Sequence, residues 1–247
     1  MVTIKELKKI SIANGKPKRW REKILRLGGT YLSWFFIKLP ITANQVTFLM
    51  LLVGIISAIM FAVGSYFYSL IGILLFSLYL FIDYADGNVA RYKKMCSFKG
   101  AYLDIITHII VNSLVLFCIS IGVYFNNPTP IPNYLFLIAG FISAWCFLMK
   151  DEIIFWKRQI YIQEVQRGNL NKLKKIKHSH TPPHENKIKL EILDFLRVGL
   201  IFNFLFFATI FNLLPYIILP YCMLRVIYFF QKFFCELKLS GEEKEFI

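Results

Sequence analysis

Residues Asp83 to His108 read DYADGNVARYKKMCSFKGAYLDIITH and place ionisable side chains at helical spacing in two hydrophobic segments. If each segment is a helix, Asp83 and Asp86 share one face of the first, and Asp104 and His108 share one face of the second. Carboxylates at membrane depth are costly and are usually functional. The stretch therefore predicts two membrane helices and locates the functional site on them.

The rest of the chain is equally apolar. Hydrophobic residues make up 57% of the 247 residues, and the mean hydropathy is +0.55, which exceeds what the core of a soluble domain needs. Six apolar runs are long enough to cross a hydrocarbon core of about 30 Å. They are 46–63, 66–82, 105–125, 131–149, 198–214 and 215–230. We therefore predict an all-α, polytopic membrane protein with six transmembrane helices.

The distribution of basic residues predicts the orientation. The net charge is +14, yet the loops near residue 64, at 126–133 and at 214–215 contain no Lys or Arg. Because Lys and Arg concentrate on the cytoplasmic side, we predict that both termini and the aspartate stretch are cytoplasmic, at the inner membrane in a bacterium. Topology and anionic lipid headgroups explain the charge, so membrane lipid is a predicted partner and nucleic acid is not.

Three segments are predicted along the chain. Residues 1–41 combine basic side chains with Trp20, Trp34 and other apolar residues, which is typical of an amphipathic helix in the membrane interface. Residues 42–235 form the six-helix domain, in which 151–192 extend the fourth span and then form a basic cytoplasmic loop. Residues 236–247 form a cytoplasmic tail.

Other candidate metal and redox sites are disfavoured. The loop histidines in HSHTPPH (178–184) lack regular ligand spacing, and the five cysteines contain no CxxC pair and are predicted to be small core residues. Arg225, inside the sixth run, is predicted to meet a phosphate, Asp194 or another carboxylate, because a buried unpaired arginine is costly.

Packing the two acidic faces together would gather three carboxylates and an imidazole, with Gly87, Ala90 and Gly100 allowing close backbone approach. Like charges repel unless a cation joins them, and carboxylate oxygens favour Mg²⁺ or Mn²⁺ with positions open for a substrate phosphate. Arg91 and Ser97 add a guanidinium fork and a hydroxyl. The pattern indicates phosphoryl-type transfer. In the alternative interpretation, the aspartates only form ion pairs with nearby cations, namely Arg91, Lys93 or Lys94.

The stretch resembles the signature of the CDP-alcohol phosphotransferase (CDP-alcohol phosphatidyltransferase) family, D-x2-D-G-x2-A-R-x8-G-x3-D-x3-D. The first seven fixed positions match at every spacing: Asp83, Asp86, Gly87, Ala90, Arg91, Gly100 and Asp104. His108 stands where the last aspartate is usual. Residues 42–47, TANQVT, are also similar to the family's T-P-N-x-x-T, with Ala43 in place of Pro.

The resemblance implies transfer of a phosphoalcohol group from a CDP-linked alcohol, often CDP-diacylglycerol, to the hydroxyl of an acceptor alcohol, with release of CMP, in phospholipid or related phosphodiester biosynthesis. It implies a homodimer, and ligation of Mg²⁺ or Mn²⁺ by Asp83, Asp86 and Asp104. The resemblance also implies a set of residues at the nucleotide and its diphosphate: Asn44, Thr47, Gly87, Ala90, Arg91, Ser97 and Gly100. The acceptor and the alcohol of the donor are not indicated.

His108 departs from the signature, and three interpretations follow. Histidine can be the base that deprotonates the acceptor, since its ordinary pKa of about 6.5 lies near neutral pH. Otherwise the protein binds a CDP-alcohol with lost or altered chemistry, or His108 is a packing residue beside another base. We predict that His108 is the catalytic base. A divalent-cation transporter is a further alternative, disfavoured because the carboxylates lie at the helix ends and not at the midplane.

Overall fold

The structure is a computed structural model that describes residues 3–13, 20–126, 128–166 and 199–242. Every regular element in these ranges is an α-helix, which confirms the predicted all-α class. The helices are α1 (Ile4–Ala13), α2 (Trp20–Lys38), α3 (Ala43–Ala62), α4 (Tyr66–Tyr92), α5 (Phe98–Phe125), α6 (Asn133–Gln166), α7 (Gly199–Ile210) and α8 (Leu214–Glu242). The chain divides into two compact units, residues 1–137 and 138–247.

Among the described residues, four helices are long and apolar enough to cross a membrane: α3, α4, α5 and residues 214–231 of α8. The fourth predicted run corresponds to a shorter apolar stretch, 133–149, and the fifth to the 12-residue α7. Large apolar side chains such as Phe48, Ile56 and Ile59 are exposed on α3, as expected for contact with lipid. The protein is therefore an integral membrane protein, and the count of six spans stays a prediction.

α3 begins and ends at well-defined caps. At its start the Thr42 hydroxyl accepts from the Gln45 N–H (3.4 Å), and the Thr42 N–H donates to Gln45 Oε1 (2.8 Å), so two free donors are satisfied. At its end Gly64 has a φ of +77°, and a Cβ there would overlap the Gly122 carbonyl oxygen of α5. Only glycine fits this turn, which brings the α3–α4 connection onto the backbone of α5.

α3 packs against both α4 and α5. A Cβ at Gly54 would lie 2.5 Å from the Val111 side chain of α5, and the Ser57 hydroxyl of α3 donates to the Gly72 carbonyl of α4 (2.8 Å). The three helices thus form the packed centre of the first unit. Several buried hydroxyls of these helices, such as those of Ser57 and Ser120, donate to backbone carbonyls, as is common in membrane helices.

The prediction that glycines bring α4 close to α5 is wrong. A Cβ at Gly87 would meet Arg91 of the same helix (3.1 Å), and a Cβ at Gly100 would meet Asn44 of α3 (3.1 Å) and Ser97 (3.3 Å). The physical reason is that α4 and α5 both pack on α3, so neither glycine faces the other helix.

α2 packs closely on α4 through two adjacent glycines. A Cβ at Gly28 would lie 2.6 Å from the Phe81 ring, and a Cβ at Gly29 would lie 2.5 Å from Tyr84 Cβ. α1 contacts both α2 and α4. The segment predicted as one amphipathic helix therefore contains two helices, and their position in the membrane interface stays a prediction.

α4 is continuous over 27 residues, which confirms that the helix runs on through the aspartates. It stops before Lys94, whose φ is +55°. The Lys93 ammonium donates to the carbonyls of Leu39 (3.0 Å) and Ile41 (2.6 Å), and so ties this end of α4 to the α2–α3 connection.

The remaining predictions concern α6, α8 and the cysteines. α6 continues to Gln166, in agreement with the predicted extension, whereas the loop histidines and Asp194 lie outside the described residues. α8 is helical through Glu242, past the predicted start of the tail. Cys146 and Cys222 are buried as predicted, but the prediction is wrong for Cys96, which is exposed because it lies in the α4–α5 connection.

Candidate active site

A cavity of about 460 Å³ lies in the first unit, lined by residues of α1 to α5 and of the α4–α5 connection. Its volume is in the range of small-molecule binding sites. The lining includes every residue predicted to bind the metal or the nucleotide: Asn44, Thr47, Asp83, Asp86, Gly87, Ala90, Arg91, Ser97, Gly100 and Asp104. His108 is not part of this lining and contacts the aspartates of the wall.

The imidazole of His108 joins the two helices that carry the aspartates. Its Nε2 lies 3.1 Å from Asp83 Oδ1 on α4 and 3.5 Å from Asp104 Oδ1 on α5. One donor atom from each of the three side chains lies within 4.8 Å of the other two. The spacing argument thus correctly brought Asp83, Asp104 and His108 together, with side chains that remain 27 to 40% exposed.

Asp86 stands apart from this cluster. It is only 8% exposed, and its Oδ2 accepts a hydrogen bond of 2.6 Å from the Thr47 hydroxyl of α3. A hydrogen bond to a carboxylate inside a low-dielectric region is short and strong. The bond fixes Asp86 at the cavity wall and makes α3 a structural part of the site.

Arg91 is oriented by its neighbours, and none of the three aspartates pairs with it. Its Nη2 donates to Asn88 Oδ1 (3.1 Å), and the Asn88 amide donates to the Ser33 hydroxyl of α2 (3.2 Å). In the part of the chain that the structure describes, no lysine or arginine forms an ion pair with Asp83, Asp86 or Asp104. The interpretation that these carboxylates are only partners of nearby cations therefore fails.

Ser97 starts α5 at the edge of the cavity. Its hydroxyl oxygen accepts from the Gly100 N–H (3.0 Å), which caps the helix and leaves the hydroxyl proton available to a ligand. Asn44 of α3 lies beside Gly100. The Ser97 hydroxyl and the Asn44 side chain, from two different helices, therefore line the same cavity as Arg91.

A comparison with protein families identifies this arrangement. The sequence model of the family described as CDP-alcohol phosphatidyltransferase matches residues 40–181, which is more than half of the chain. The protein belongs to the CDP-alcohol phosphatidyltransferase family. The match covers α3, α4 and α5, so it contains the whole acidic stretch. No curated protein matches the sequence.

The residues of this member of the CDP-alcohol phosphatidyltransferase family fit a divalent cation. Asp83 and Asp104 supply carboxylate oxygens, which suit Mg²⁺ and Mn²⁺, and His108 supplies a nitrogen, which Mg²⁺ accepts less readily than Mn²⁺ does. The partly exposed side chains leave room for further oxygen ligands from a substrate. The donor set is therefore chemically compatible with the metal that the sequence predicts.

Sequence reasoning missed the residues that hold the site in place. Tyr79 contacts His108, Asn88 and Ser33 orient Arg91, and Arg26 and Ser11 line the cavity from α2 and α1. One signal was available, since Tyr79 lies four residues before Asp83 and so shares its helical face. The contribution of the N-terminal helices had no such signal.

Proposed function

We propose that the protein transfers a phosphoalcohol group from a CDP-linked alcohol to the hydroxyl of an acceptor alcohol and releases CMP, in phospholipid or related phosphodiester synthesis. The observation that carries this proposal is the single cavity where three aspartates, Arg91 and the start of α5 meet. Its volume suits a nucleoside diphosphate group, and membership of the family supports the chemistry. The lipid chains of a membrane substrate would lie along the apolar helices.

In this proposal Asp83, Asp86 and Asp104 hold Mg²⁺ or Mn²⁺. The metal would neutralise charge on the diphosphate and on the departing CMP. Asp83 and Asp104 already lie close together, while Asp86 lies in the cavity wall with its Oδ2 bonded to Thr47. Because the three side chains project from two helices that α3 holds in register, they are in place before the substrate arrives.

The nucleotide would lie across the other side of the cavity. Arg91 and Ser97 donate to the phosphates, and Asn44 and Thr47 approach from α3. The residues without long side chains leave space: Gly87, Ala90 and Gly100. A Cβ at Gly87 would lie 3.1 Å from the Arg91 guanidinium, so a residue larger than glycine would displace the guanidinium group. This contact supports the proposed role of Gly87.

His108 is the proposed base. The acceptor oxygen forms a bond to the phosphorus that carries the donor alcohol, and the bond from that phosphorus to the oxygen of CMP breaks, so that CMP leaves with the electron pair. The acceptor proton passes to Nε2 of His108. The resulting imidazolium would be stabilised by Asp83, at 3.1 Å, and Asp104, at 3.5 Å.

We further propose six transmembrane spans, with both termini and the cavity on the cytoplasmic side, and a homodimer. The basic residues near the ends of the helices support the orientation.

The test is CMP release by the purified protein with CDP-diacylglycerol, Mg²⁺ or Mn²⁺ and a panel of alcohol acceptors. We expect acceptor-dependent CMP from the wild type, none above background from Asp86→Asn, and wild-type rates from Glu6→Gln, which removes an exposed carboxylate outside the cavity. His108→Asp should retain activity and His108→Ala should lose it. If no CMP appears with CDP-diacylglycerol, the assay is repeated with another CDP-linked alcohol as the donor.

Binding without turnover would instead indicate a degenerate member of the family. In that case CDP-diacylglycerol would stabilise the protein against thermal unfolding, but no combination of donor and acceptor would give CMP. Absence of stabilisation by any CDP-linked compound, together with Mn²⁺ uptake into proteoliposomes, would favour the transporter and refute the proposal.

A further inference from the structure

Asn88 of α4 lies between Arg91 and α2. Its side chain is only 2% exposed, and its Oδ1 accepts a hydrogen bond from Arg91 Nη2 (3.1 Å). Its Nδ2 donates to the hydroxyl oxygen of Ser33 (3.2 Å), which belongs to α2 and is fully buried. One buried amide therefore joins a guanidinium that lines the cavity to the interior of the α2–α4 contact.

The chemistry of the partners fixes the direction of each bond in this chain of contacts. A guanidinium has only donors, so the amide oxygen of Asn88 must face Arg91 and the amide nitrogen must face Ser33. The Ser33 oxygen lies 2.5 Å from the Gly29 carbonyl oxygen and 3.5 Å from that of Ala85, and carbonyls can only accept. The single hydroxyl proton therefore goes to a carbonyl, and the Ser33 oxygen accepts from Asn88. Turning the amide over would place its donors against those of Arg91.

The guanidinium held in this way remains able to bind an anion. Arg91 lines the cavity, and within the described ranges no carboxylate forms an ion pair with it. Asn88 accepts from one of its nitrogens, and a guanidinium has several further N–H donors. The phosphate oxygens of a nucleotide are acceptors that suit these donors. The orientation that Asn88 gives to Arg91 should therefore matter when a phosphate binds.

We infer that Asn88 is a positioning residue for recognition of the donor phosphates, which holds the Arg91 guanidinium in one orientation and anchors it on α2 through Ser33. The inference rests on the proposed function in one respect, which is that Arg91 binds those phosphates. An arginine side chain has many rotamers, and fixing it in the folded protein removes that entropy cost from the binding step. The two hydrogen bonds of Asn88 should therefore contribute to affinity for the donor.

The anchor depends on the close approach of α2 to α4. The carbonyl nearest the Ser33 hydroxyl belongs to Gly29, where a Cβ would lie 2.5 Å from Tyr84 Cβ. Ser33 follows Gly29 by one helical turn and shares its face of α2, so the contact at the glycine brings the hydroxyl within reach of Asn88. The D-x2-D-G-x2-A-R signature leaves position 88 unspecified. The anchor is thus a property of this chain and makes α2 part of the donor site.

The experiment is a double-mutant cycle with Asn88→Ala and Arg91→Met. Methionine keeps much of the apolar stem of Arg91 and has no N–H group, so Asn88 has nothing to orient. Ser57→Ala is the matched control, because it removes another buried interhelical hydroxyl bond, to the Gly72 carbonyl (2.8 Å), outside the cavity lining. The readouts are the Kd for CDP in the presence of Mg²⁺ by isothermal titration calorimetry, the kcat and donor KM of CMP release, and the Tm in detergent.

We expect Asn88→Ala to weaken CDP binding about tenfold, since a hydrogen bond to a charged group is lost. The donor KM should rise with little change in kcat, because the phosphates are bound in both the ground state and the transition state. In the Arg91→Met background the same change should alter the Kd for CDP by less than about twofold. Ser57→Ala should lower the Tm and leave the Kd unchanged.

Ser33→Ala tests the anchor separately. It should weaken CDP binding in the same direction by a smaller factor, about threefold, and should have no effect once residue 88 is alanine or residue 91 is methionine. This variant also supplies a second cycle with Arg91→Met in case Asn88→Ala does not fold. A purely structural role for either residue would lower the Tm and weaken CDP binding equally in both backgrounds.

Three results would overturn the inference. They are an unchanged Kd for CDP in Asn88→Ala, an equal loss of affinity in both backgrounds of either cycle, and no CDP binding by the wild type. The outcome is distinguishable from failure of the proposed function. If the cycle is non-additive for CDP while the wild type releases no CMP from any donor, the positioning role stands and the transferase proposal falls. An additive cycle in a protein that releases CMP gives the reverse.

Discussion

Two polar clusters lie within apolar helices of this protein, and they differ in charge and in how open they are. The first, around Asp83, Asp104 and His108, has donor atoms that converge on one point and side chains that are 27 to 40% exposed. The second, around Arg225 of α8, is only 6% exposed. The Arg225 guanidinium lies 4.9 Å from the Phe147 ring and 5.7 Å from the Tyr221 ring.

The two clusters also differ in whether their polar atoms have hydrogen-bond partners. In the first cluster Asp83 and Asp104 both contact His108, and the unmet requirement is for positive charge. In the second, Nε and Nη2 of Arg225 have no hydrogen-bond acceptor within the described parts of the chain, and the ring faces satisfy only its charge. An open acidic cluster is suited to exchange a cation with solvent, whereas a closed basic one contributes mainly to packing.

The largest effect should come from adding a cation. Mn²⁺ at about 100 times its dissociation constant should stabilise the wild type by about 2.7 kcal/mol, because it binds the folded state alone. Asp104→Asn should abolish this gain and Arg225→Met should keep it. Thermal unfolding in detergent with and without Mn²⁺ measures both, and equal protection of all three proteins would remove the distinction between the clusters.

The next largest effect is expected from a change in α2, which lines the cavity beside the open cluster. Gly29→Ala puts a methyl group 2.5 Å from Tyr84 Cβ and 3.2 Å from the Phe81 carbonyl oxygen, neither of which can yield. We expect a loss of about 1 to 3 kcal/mol from overpacking, measured as a fall in Tm, together with weaker nucleotide binding as α2 moves from the cavity. A stability equal to that of the wild type would show that α2 is not a fixed wall.

Replacement of the closed basic residue should act in the opposite direction. Arg225→Met keeps the apolar stem between the rings and removes a desolvated charge, so we expect a gain of about 1 kcal/mol, or roughly 2 to 4 °C in Tm. Arg225→Lys is the matched variant and should not gain. A clear loss in Arg225→Met would mean that a carboxylate or a bound phosphate satisfies the arginine, as the sequence predicts.

The smallest effect on stability is expected at Gly87. A methyl group there would meet only the end of the flexible Arg91 side chain, at 3.1 Å, so the cost should stay within about 0.5 kcal/mol. Binding of a CDP-linked donor should nevertheless weaken, because the guanidinium must move. Isothermal titration calorimetry measures donor binding, and thermal unfolding measures stability. A large fall in Tm would show that Gly87 contributes to helix packing and not to the cavity.

The sequence predicted this site unevenly, for a physical reason. Helical spacing placed Asp83 and Asp86 on one face and Asp104 and His108 on another, because residues three or four apart on a helix share a face. That the two faces meet was an assumption, which the structure supports for Asp83, Asp104 and His108. Spacing could not show that α3 is the helix on which α4 and α5 both pack, so the prediction that Gly87 and Gly100 let α4 and α5 approach closely was wrong. Tyr79 was overlooked because an aromatic residue in an apolar run is ordinarily a core residue, and only its hydroxyl distinguishes it.

The N-terminal helices show the same limit. The basic and aromatic residues of 20–38 predicted a helix, but nothing local distinguishes a helix that lies on lipid from one that packs on α4. The contact depends on Gly28 and Gly29 meeting Phe81 and Tyr84, which are more than 50 residues away. Long-range register of this kind is set by surface shape, which a single sequence does not display.

The glycine turn at Gly64 lies at the opposite end of α4 from the acidic site, so a small rotation there becomes a larger displacement at the aspartates. Gly64 touches the backbone of α5 at Gly122, and Asp86 follows 22 residues later on a continuous helix, roughly 33 Å along its axis. Over that length about 2° of rotation at the glycine contact displaces the aspartate by about 1 Å. A misplacement of that size can reduce catalysis about 100-fold. The backbone contact at Gly64 is therefore expected to affect the alignment of the aspartates at the other end of α4.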